Sequence, residues 1–443
     1  MKEHKKTCAE IFRLAGRVRA EVMINSSESA LTRFADNVIS QNVAERSESV
    51  SIRLMDKGRV FKTSLNQTDG ASLASAVRRA LAALRLQKKD KNLLKPPAPR
   101  PVATAAPGLY SPATAALKPS FRAAKIAGLA RLCRARGMKC YGTLENGVSL
   151  LTMANNSGVF VSHGETHAIY SVTARKGEGY GWAEQYSPDA SKIDYAAVGA
   201  RAMDKAAASA RPSAVPPGKY TVILEPAAVA DMLFFLGYSG LGGRAWLDGR
   251  SFASGALGKR LLHPSITITD DALEGPAAGA TFDFEGLPRK KVVLVEKGVV
   301  RAVVHDRRTA AEAGVHSTGH SLPQPNSYGP MPRNLEMSPG ESSLEEMILS
   351  TGKGILVTAF HYTNLLRPKT VEMTGMTRNG TFLVENGRVT KALKNLRFTQ
   401  SVTEAFSNVE ALSKERETSG SWGKMCVPSM KIRDFNFSSA TEF

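Results

Sequence analysis

One eight-residue stretch, Arg211-Pro-Ser-Ala-Val-Pro-Pro-Gly218, constrains the fold of this chain more than any other. Its three prolines and one glycine fix φ and remove backbone donors, so it can neither continue a helix nor sit at the centre of a sheet. The chain it divides has 443 residues, more than one ordinary hydrophobic core organises. The expected domains are residues 1–212 and residues 218–437.

The two sides differ in texture. On the N-terminal side, Cys8 to Arg19 places Ile11, Leu14, Ala15 and Val18 on one helical stripe. Val22–Ile24, Val38–Val43 and Ser49–Leu54 alternate apolar with polar residues, and Asp56-Lys-Gly58 turns the chain into Arg59–Thr63, which together predict an antiparallel meander. Ala71–Leu86, Phe121–Arg136 and Asp194–Ala210 have helical spacing. Strands are expected at Lys139–Thr143, Val148–Thr152, Val159–Ser162, His167–Val172 and Gly179–Ala183. Residues 88–120 hold lysine, proline and alanine without any period and read as an extended, linker-like connection.

Beyond Lys219 strands dominate: Lys291–Glu296, Gly298–Val304, Gly354–Phe360, Thr381–Glu385 and Gly387–Val389. Glu296-Lys-Gly298 and Glu385-Asn-Gly387 are hairpin turns. Helix is expected only at Ala227–Leu236, Thr309–Ala313, Ser343–Leu349 and Val402–Leu412. The fold class is therefore α+β: a mixed helix and antiparallel-sheet N-terminal domain, then a β-rich C-terminal domain built as a sandwich or open barrel.

A hydrophobic content of 42% and a charged content of 22% are those of a globular protein. No apolar run reaches bilayer length, and the N-terminus has no signal-peptide core, so a cytoplasmic location is expected. Cys8, Cys133, Cys140 and Cys426 form no Cys-x-x-Cys pair and read as free thiols. The net charge of +19 is concentrated in Lys2–Arg19, Arg78–Lys95 and Arg122–Lys139. Such charge attracts phosphates or acidic partners. No helix-turn-helix, zinc-finger spacing or aromatic strand motif accompanies it, so the reading is a solvated basic face or an acidic partner's docking surface rather than specific nucleic-acid recognition.

Several short segments follow one another in a telling order. Leu31 to Asn42 contains Thr32-Arg-Phe-Ala-Asp-Asn37 and Gln41-Asn42. Tyr220–Pro226 reads as a strand leading into the helix Ala227–Leu236. Then come Asp248-Gly-Arg-Ser-Phe252, Gly258, Thr267-Ile-Thr-Asp-Asp271, Phe282-Asp-Phe-Glu-Gly286, Ser317-Thr-Gly319 and Thr374–Gly380. In this order the segments resemble the TldD/PmbA (TldE) metalloprotease family. The resemblance implies a two-domain protein that forms a homodimer, or a heterodimer with a TldD-like catalytic subunit, around a chamber where unfolded peptides are cut. In the catalytic branch the helix bears His-Glu-x-x-x-His, and a cysteine near the C-terminus completes a zinc site. Zinc on three protein ligands lowers the pKa of its bound water to about 7.

This sequence departs at both places. Asp231 is the only ionisable residue of Ala227–Leu236, and Trp422 stands before Gly423-Lys424 where the family cysteine would fall. The resemblance therefore points to the PmbA/TldE-like branch, a partner subunit with no catalytic or metal-binding residue of its own and with zinc held by the catalytic sister. No substrate-binding residue is assigned.

Other constellations compete with this reading. Glu312, His316 and His320 are spaced by four, which would align them as metal ligands on a helix, although Gly314, Val315, Thr318 and Gly319 disfavour one. His163 and His167, with Glu165 between them, are expected where one strand turns into the next at Gly164. The carboxylates of Asp283 and Glu285, and those of Asp270 and Asp271, suit turn capping better than acid–base work. Two alternatives stand beside the subunit reading: a stand-alone basic protein that binds an acidic polymer, and a peptidase with its metal site rearranged onto Glu312, His316 and His320.

Overall fold

The computed structural model describes residues 1–420 and 423–441. The first sheet is built from β1 (Arg19–Ala35), β2 (Val38–Asp56), β3 (Arg59–Leu65), β4 (Lys139–Asn155), β5 (Phe160–Lys176) and β6 (Gly179–Ser187), in the order β3-β2-β1-β4-β5-β6 and antiparallel throughout. Its hairpins turn as their residues require. Asp36 and Asn37 take φ of 50° and 67°, and Lys57 and Gly58 take 46° and 79°, the pair of positive values that matches a two-residue turn to strand twist.

Alternation gives this sheet two different faces, and the helices cover one of them. Val22, Ile24, Val50, Ile52 and Leu54 bury against α1 (Lys2–Ala15) and α2 (Gly70–Leu86). Tyr170, Val172 and Ala174 bury against α4 (Pro119–Ala135) and α5 (Tyr195–Ala208), while the single turn α3 (Pro112–Ala115) packs on β4 and β5. One fully buried guanidinium, Arg122 on α4, bridges Thr32, Asn42 and Asn146 at 2.9, 3.2 and 2.6 Å.

The strand Lys139–Asn155 is one unbroken element where two short strands were expected. Gly164 lies in the middle of β5 rather than at a turn. Its neighbour across the ladder, Leu150, supplies the apolar cover that glycine lacks. Of the stretch 88–120 expected to be extended, residues 88–111 contain neither helix nor strand, but Pro112–Ala115 forms a helical turn and α4 begins at Pro119. Residues 88–111 strap the two halves together: Asn155 donates to Pro97 O at 2.9 Å, Thr281 to Ala103 O at 2.7 Å and Arg307 to Lys95 O at 2.6 Å.

The second sheet comprises β7 (Gly218–Leu224), β8 (Ile268–Asp270), β9 (Val292–Glu296), β10 (Val299–Val300), β11 (Asn334–Met337), β12 (Lys353–Arg367), β13 (Glu372–Glu385), β14 (Arg388–Ala392), β15 (Leu396–Ser401), β16 (Val409–Ser419) and β17 (Lys424–Ala440). Five of these close into a ring, β7-β12-β13-β15-β17, because β17 returns to pair with β7. The long β17 serves four neighbours in succession: β11, β16, β7 and β15. The second half is therefore strand-rich, as the α+β reading has it, but its sheet closes instead of stacking as a sandwich. Val409–Leu412, expected as helix, belongs to β16, since β17 offers it a ladder; helix is confined to Val402–Ser407. The expected strand Gly298–Val304 shrinks to Val299–Val300.

Directly after β7 in the chain comes α6 (Pro226–Gly240), with Pro226 at its first turn, and it packs on β12 and β17. It is apolar on nearly all sides, as a helix enclosed in a core must be. Leu224, Met232, Leu233, Leu236, Ile355, Val357, Phe360, Phe398 and Phe435 belong to one cluster around it.

Candidate functional site

The face of the first sheet opposite its helices meets the second half, and two cavities lie along the junction. The first, about 400 Å³, is lined by Trp182, Glu184 and Tyr186 of β6, by Asp231 of α6, and by Phe360, His361 and Arg378. Glu225, at the start of α6, meets Lys205 of α5 at 2.5 Å across the junction. Asp231 forms no ion pair or hydrogen bond among the described residues, and burial pushes its carboxyl up to about 7. Burial likewise raises Glu184, against a hydrogen bond from Ser171.

The second cavity is larger, about 670 Å³, and it collects five residues that the sequence singles out: His163, Glu165, His167, Asp283 and His320. His163, Glu165 and His167 do share a face, but through the period of two of a continuous strand rather than through a turn. Lys424, the first residue of β17, reaches Glu165 at 2.7 Å and Ala278 O at 2.8 Å. His163 lies 3.2 Å from Glu165, and His167 3.2 Å from Glu145. Burial alone would raise the Glu165 carboxyl; His163 and Lys424 outweigh it and bring it down to about 2.

Behind the cavity wall is a fully buried carboxylate, Asp270. One oxygen faces Arg289 at 2.5 Å and His320 Nε2 at 2.8 Å. The other accepts the backbone N–H groups of Arg333 at 2.7 Å and Asn334 at 2.9 Å. Burial opposes ionisation here, yet Arg289, then His320, then the backbone donors hold Asp270 well below the usual carboxylate range. Asp283 caps its own loop, accepting from Glu285, Leu287 and Ser321 backbone N–H groups at 2.9 to 3.0 Å. Asp271 caps Leu273 and Glu274 and pairs with Lys291. Glu285, pushed up to about 7 by burial, faces Arg307.

The arrangement Glu312, His316 and His320 is not assembled. The helix stops at Ala313, where Gly314 takes the left-handed conformation, so the three do not share a helical face. Glu312 is held by Arg244 at 2.7 Å, His316 is exposed, and His320 is buried against Asp270. Among the described residues no three His, Cys, Asp or Glu side chains are placed to hold a metal. Zinc on three protein ligands does not fit the donors on α6, where Asp231 stands alone and no histidine accompanies it. Cys426 is buried on β17, with its thiol pushed up by burial, and Trp422 lies outside the described residues. All four cysteines are free and buried.

Sequence reasoning missed Arg289 and Arg333 as parts of the site. They reach it from loops, and only the assembled fold brings them beside Glu165 and Asp283.

The architecture places the chain among known proteins. A family model for the PmbA/TldA metallopeptidase C-terminal domain matches residues 217–439, which takes in α6 and the whole closed ring, and a model for domain 1 matches residues 20–84. The chain belongs to the PmbA/TldD metallopeptidase family. The crystal structure of TldE from Thermococcus kodakarensis superposes with a TM-score of 0.87 over 98% of this chain and 99% of that one, at 19% identity, so the two share a fold. A metalloprotease of Methanocaldococcus jannaschii is 27% identical over 231 residues, 52% of this chain and 51% of that protein. A TldD homologue, also named a metalloprotease, from Buchnera aphidicola of Acyrthosiphon pisum is 28% identical over 211 residues, 44% and 43% of the two chains. The match thus spans about half the length of these curated relatives. Among the described residues no helix is long and apolar enough to cross a membrane.

Proposed function

We propose that this chain is the PmbA/TldE-like partner subunit of a TldD/PmbA-type metalloprotease system that degrades unfolded peptides, in the cytoplasm. One observation carries this reading: α6, the helix that bears the metal ligands in the catalytic branch, presents a lone Asp231 to its cavity. A single carboxylate on a helix without histidine does not assemble the ligand set that acidifies water. The zinc then belongs to a TldD-like sister, and this chain's part is to wall the chamber and hold the peptide. Residues 1–212 and 218–437 act as its two domains, joined by the strap of residues 88–111.

A partner has a place to attach. Residues 38–49 of β2 pair with β1 on one side, but β3 begins its pairing only at Val50, so the other side of that stretch has no strand among the described residues. Val38, Ile39 and Val43 are exposed there. A free edge of this length adds a strand by backbone hydrogen bonding. The test is to purify the chain alone and together with a sister bearing His-Glu-x-x-x-His, then follow assembly by light scattering and cleavage of an unfolded peptide. Cleavage that appears only in the assembled pair supports the proposal. Cleavage by this chain alone, or failure to assemble either with itself or with the sister, contradicts it.

A further inference from the structure

The larger cavity has an unbalanced charge. Its cations are Arg289, Lys424 and Arg333. Arg289 is committed to Asp270 and Lys424 to Glu165. Asp283, which also lines the space, is committed to three backbone N–H groups. Arg333 alone has no ion pair among the described residues, although the charges of Glu165 and Asp270 reach it from a distance. Its guanidinium lies 5.2 Å from the centre of the Phe284 ring and makes no side-chain hydrogen bond there. Protein packs round it closely enough that burial, and then the charge of Arg289, disfavour its protonated form, yet the residue remains open to the cavity.

We propose that Arg333 is the anchor of a carboxylate-binding site in this cavity, and that the carboxylate comes from a peptide, at its C-terminus or on an acidic side chain. The inference rests on the peptide-handling role proposed above. A guanidinium over an aromatic ring, with no hydrogen bond holding its N–H groups, has its planar fork free, and that fork matches the two oxygens of a carboxylate. An incoming anion would also offset the repulsion between Arg333 and Arg289. A dianion such as phosphate suits the cavity less, because Glu165 and Asp283 line it too. The volume, about 670 Å³, is that of a small-ligand pocket. Its sheet side mixes short polar side chains, Asn25, Ser49 and Ser149, with the apolar Met23, Leu151 and Ile169, a surface suited to an extended peptide end.

The experiment uses the full chain and fluorescence anisotropy of an N-terminally labelled hexapeptide, Gly-Ser-Ala-Leu-Ser-Ala. Three forms are compared: the free acid, the C-terminal amide, and the amide with glutamate replacing leucine. The free acid is expected to bind roughly tenfold more tightly than the amide, the worth of one charge-assisted contact. Arg333→Gln should abolish that difference and Arg333→Lys restore part of it. Tight binding by the glutamate amide alone would keep the carboxylate site and assign its source to a side chain. Equal binding of all three forms would overturn the carboxylate site while leaving peptide handling intact. Binding by none of them would overturn it as well, and the partner-subunit reading would then stand or fall on the assembly experiment. If Arg333→Gln fails to fold, the acid-against-amide comparison on the native chain decides alone.

Discussion

Replacing Asp270 with asparagine should destabilise the second half of the molecule severely. The carboxylate is fully buried, and its four close partners are all donors: Arg289 and His320 on one oxygen, the Arg333 and Asn334 backbone N–H groups on the other. An asparagine amide has one oxygen and one NH₂ group. Turned one way its NH₂ meets the two backbone N–H groups and turned the other it meets the Arg289 guanidinium, and either way the Arg289 charge is left buried without a counterion. Breaking a buried pair from one side costs about 3–5 kcal/mol. Urea unfolding followed by circular dichroism, compared at an unchanged slope, reads the loss. Asp270→Leu combined with Arg289→Met should cost less than Asp270→Asn alone, because both charges leave together. The native pH profile follows from the same group. Asp270 is depressed in the folded state, so its stabilisation is full above the unfolded carboxyl pKa of about 4 and is lost as pH falls below that. A loss under about 1 kcal/mol, the range of an exposed pair, would refute the reasoning.

Asp231→Asn should act in the opposite sense. Its folded pKa of about 7 is raised, so the ionised carboxylate costs stability above that pH and nothing below about 4; the variant should gain on the order of 2 kcal/mol at pH 8 and little at pH 4, by thermal unfolding at both. Lys424→Met removes the cation that helps hold Glu165 near a pKa of 2, and acid unfolding between the ordinary glutamate pKa and that value should become shallower. Arg122→Met leaves Thr32, Asn42 and Asn146 without their shared donor inside the first half, at a cost of about 2–4 kcal/mol in urea unfolding, with the larger cavity unchanged.

What the sequence tells of this molecule depends on the range of the interaction. Turns are local: Asp56-Lys-Gly58, Glu296-Lys-Gly298 and Glu385-Asn-Gly387 all take the positive φ pairs that their residues favour. So is the start of α6, where Pro226 takes the first turn ahead of the apolar run. The end of the helix at Gly314 could also be read locally, and it separates Glu312 from His320. Closure of the ring could not, because it depends on β17 meeting β7 across some 200 residues. Val409–Leu412 has helical spacing and becomes a strand only because β17 presents an edge. In the site, the face shared by His163, Glu165 and His167 was available to a period-two reading that continued through Gly164. The partnership of Glu165 with Lys424, 259 residues away, had no local signal, and neither did the isolation of Arg333.

The central claim is that this chain carries no catalytic zinc of its own, and the most direct measurement is the metal content of the purified protein, paired with its thermal stability before and after chelation. The account predicts much less than one zinc per chain and an unchanged unfolding temperature, because α6 offers Asp231 alone and no three-ligand set is placed among the described residues. About one zinc per chain, with a drop in unfolding temperature and chelator-sensitive peptide cleavage, would contradict it.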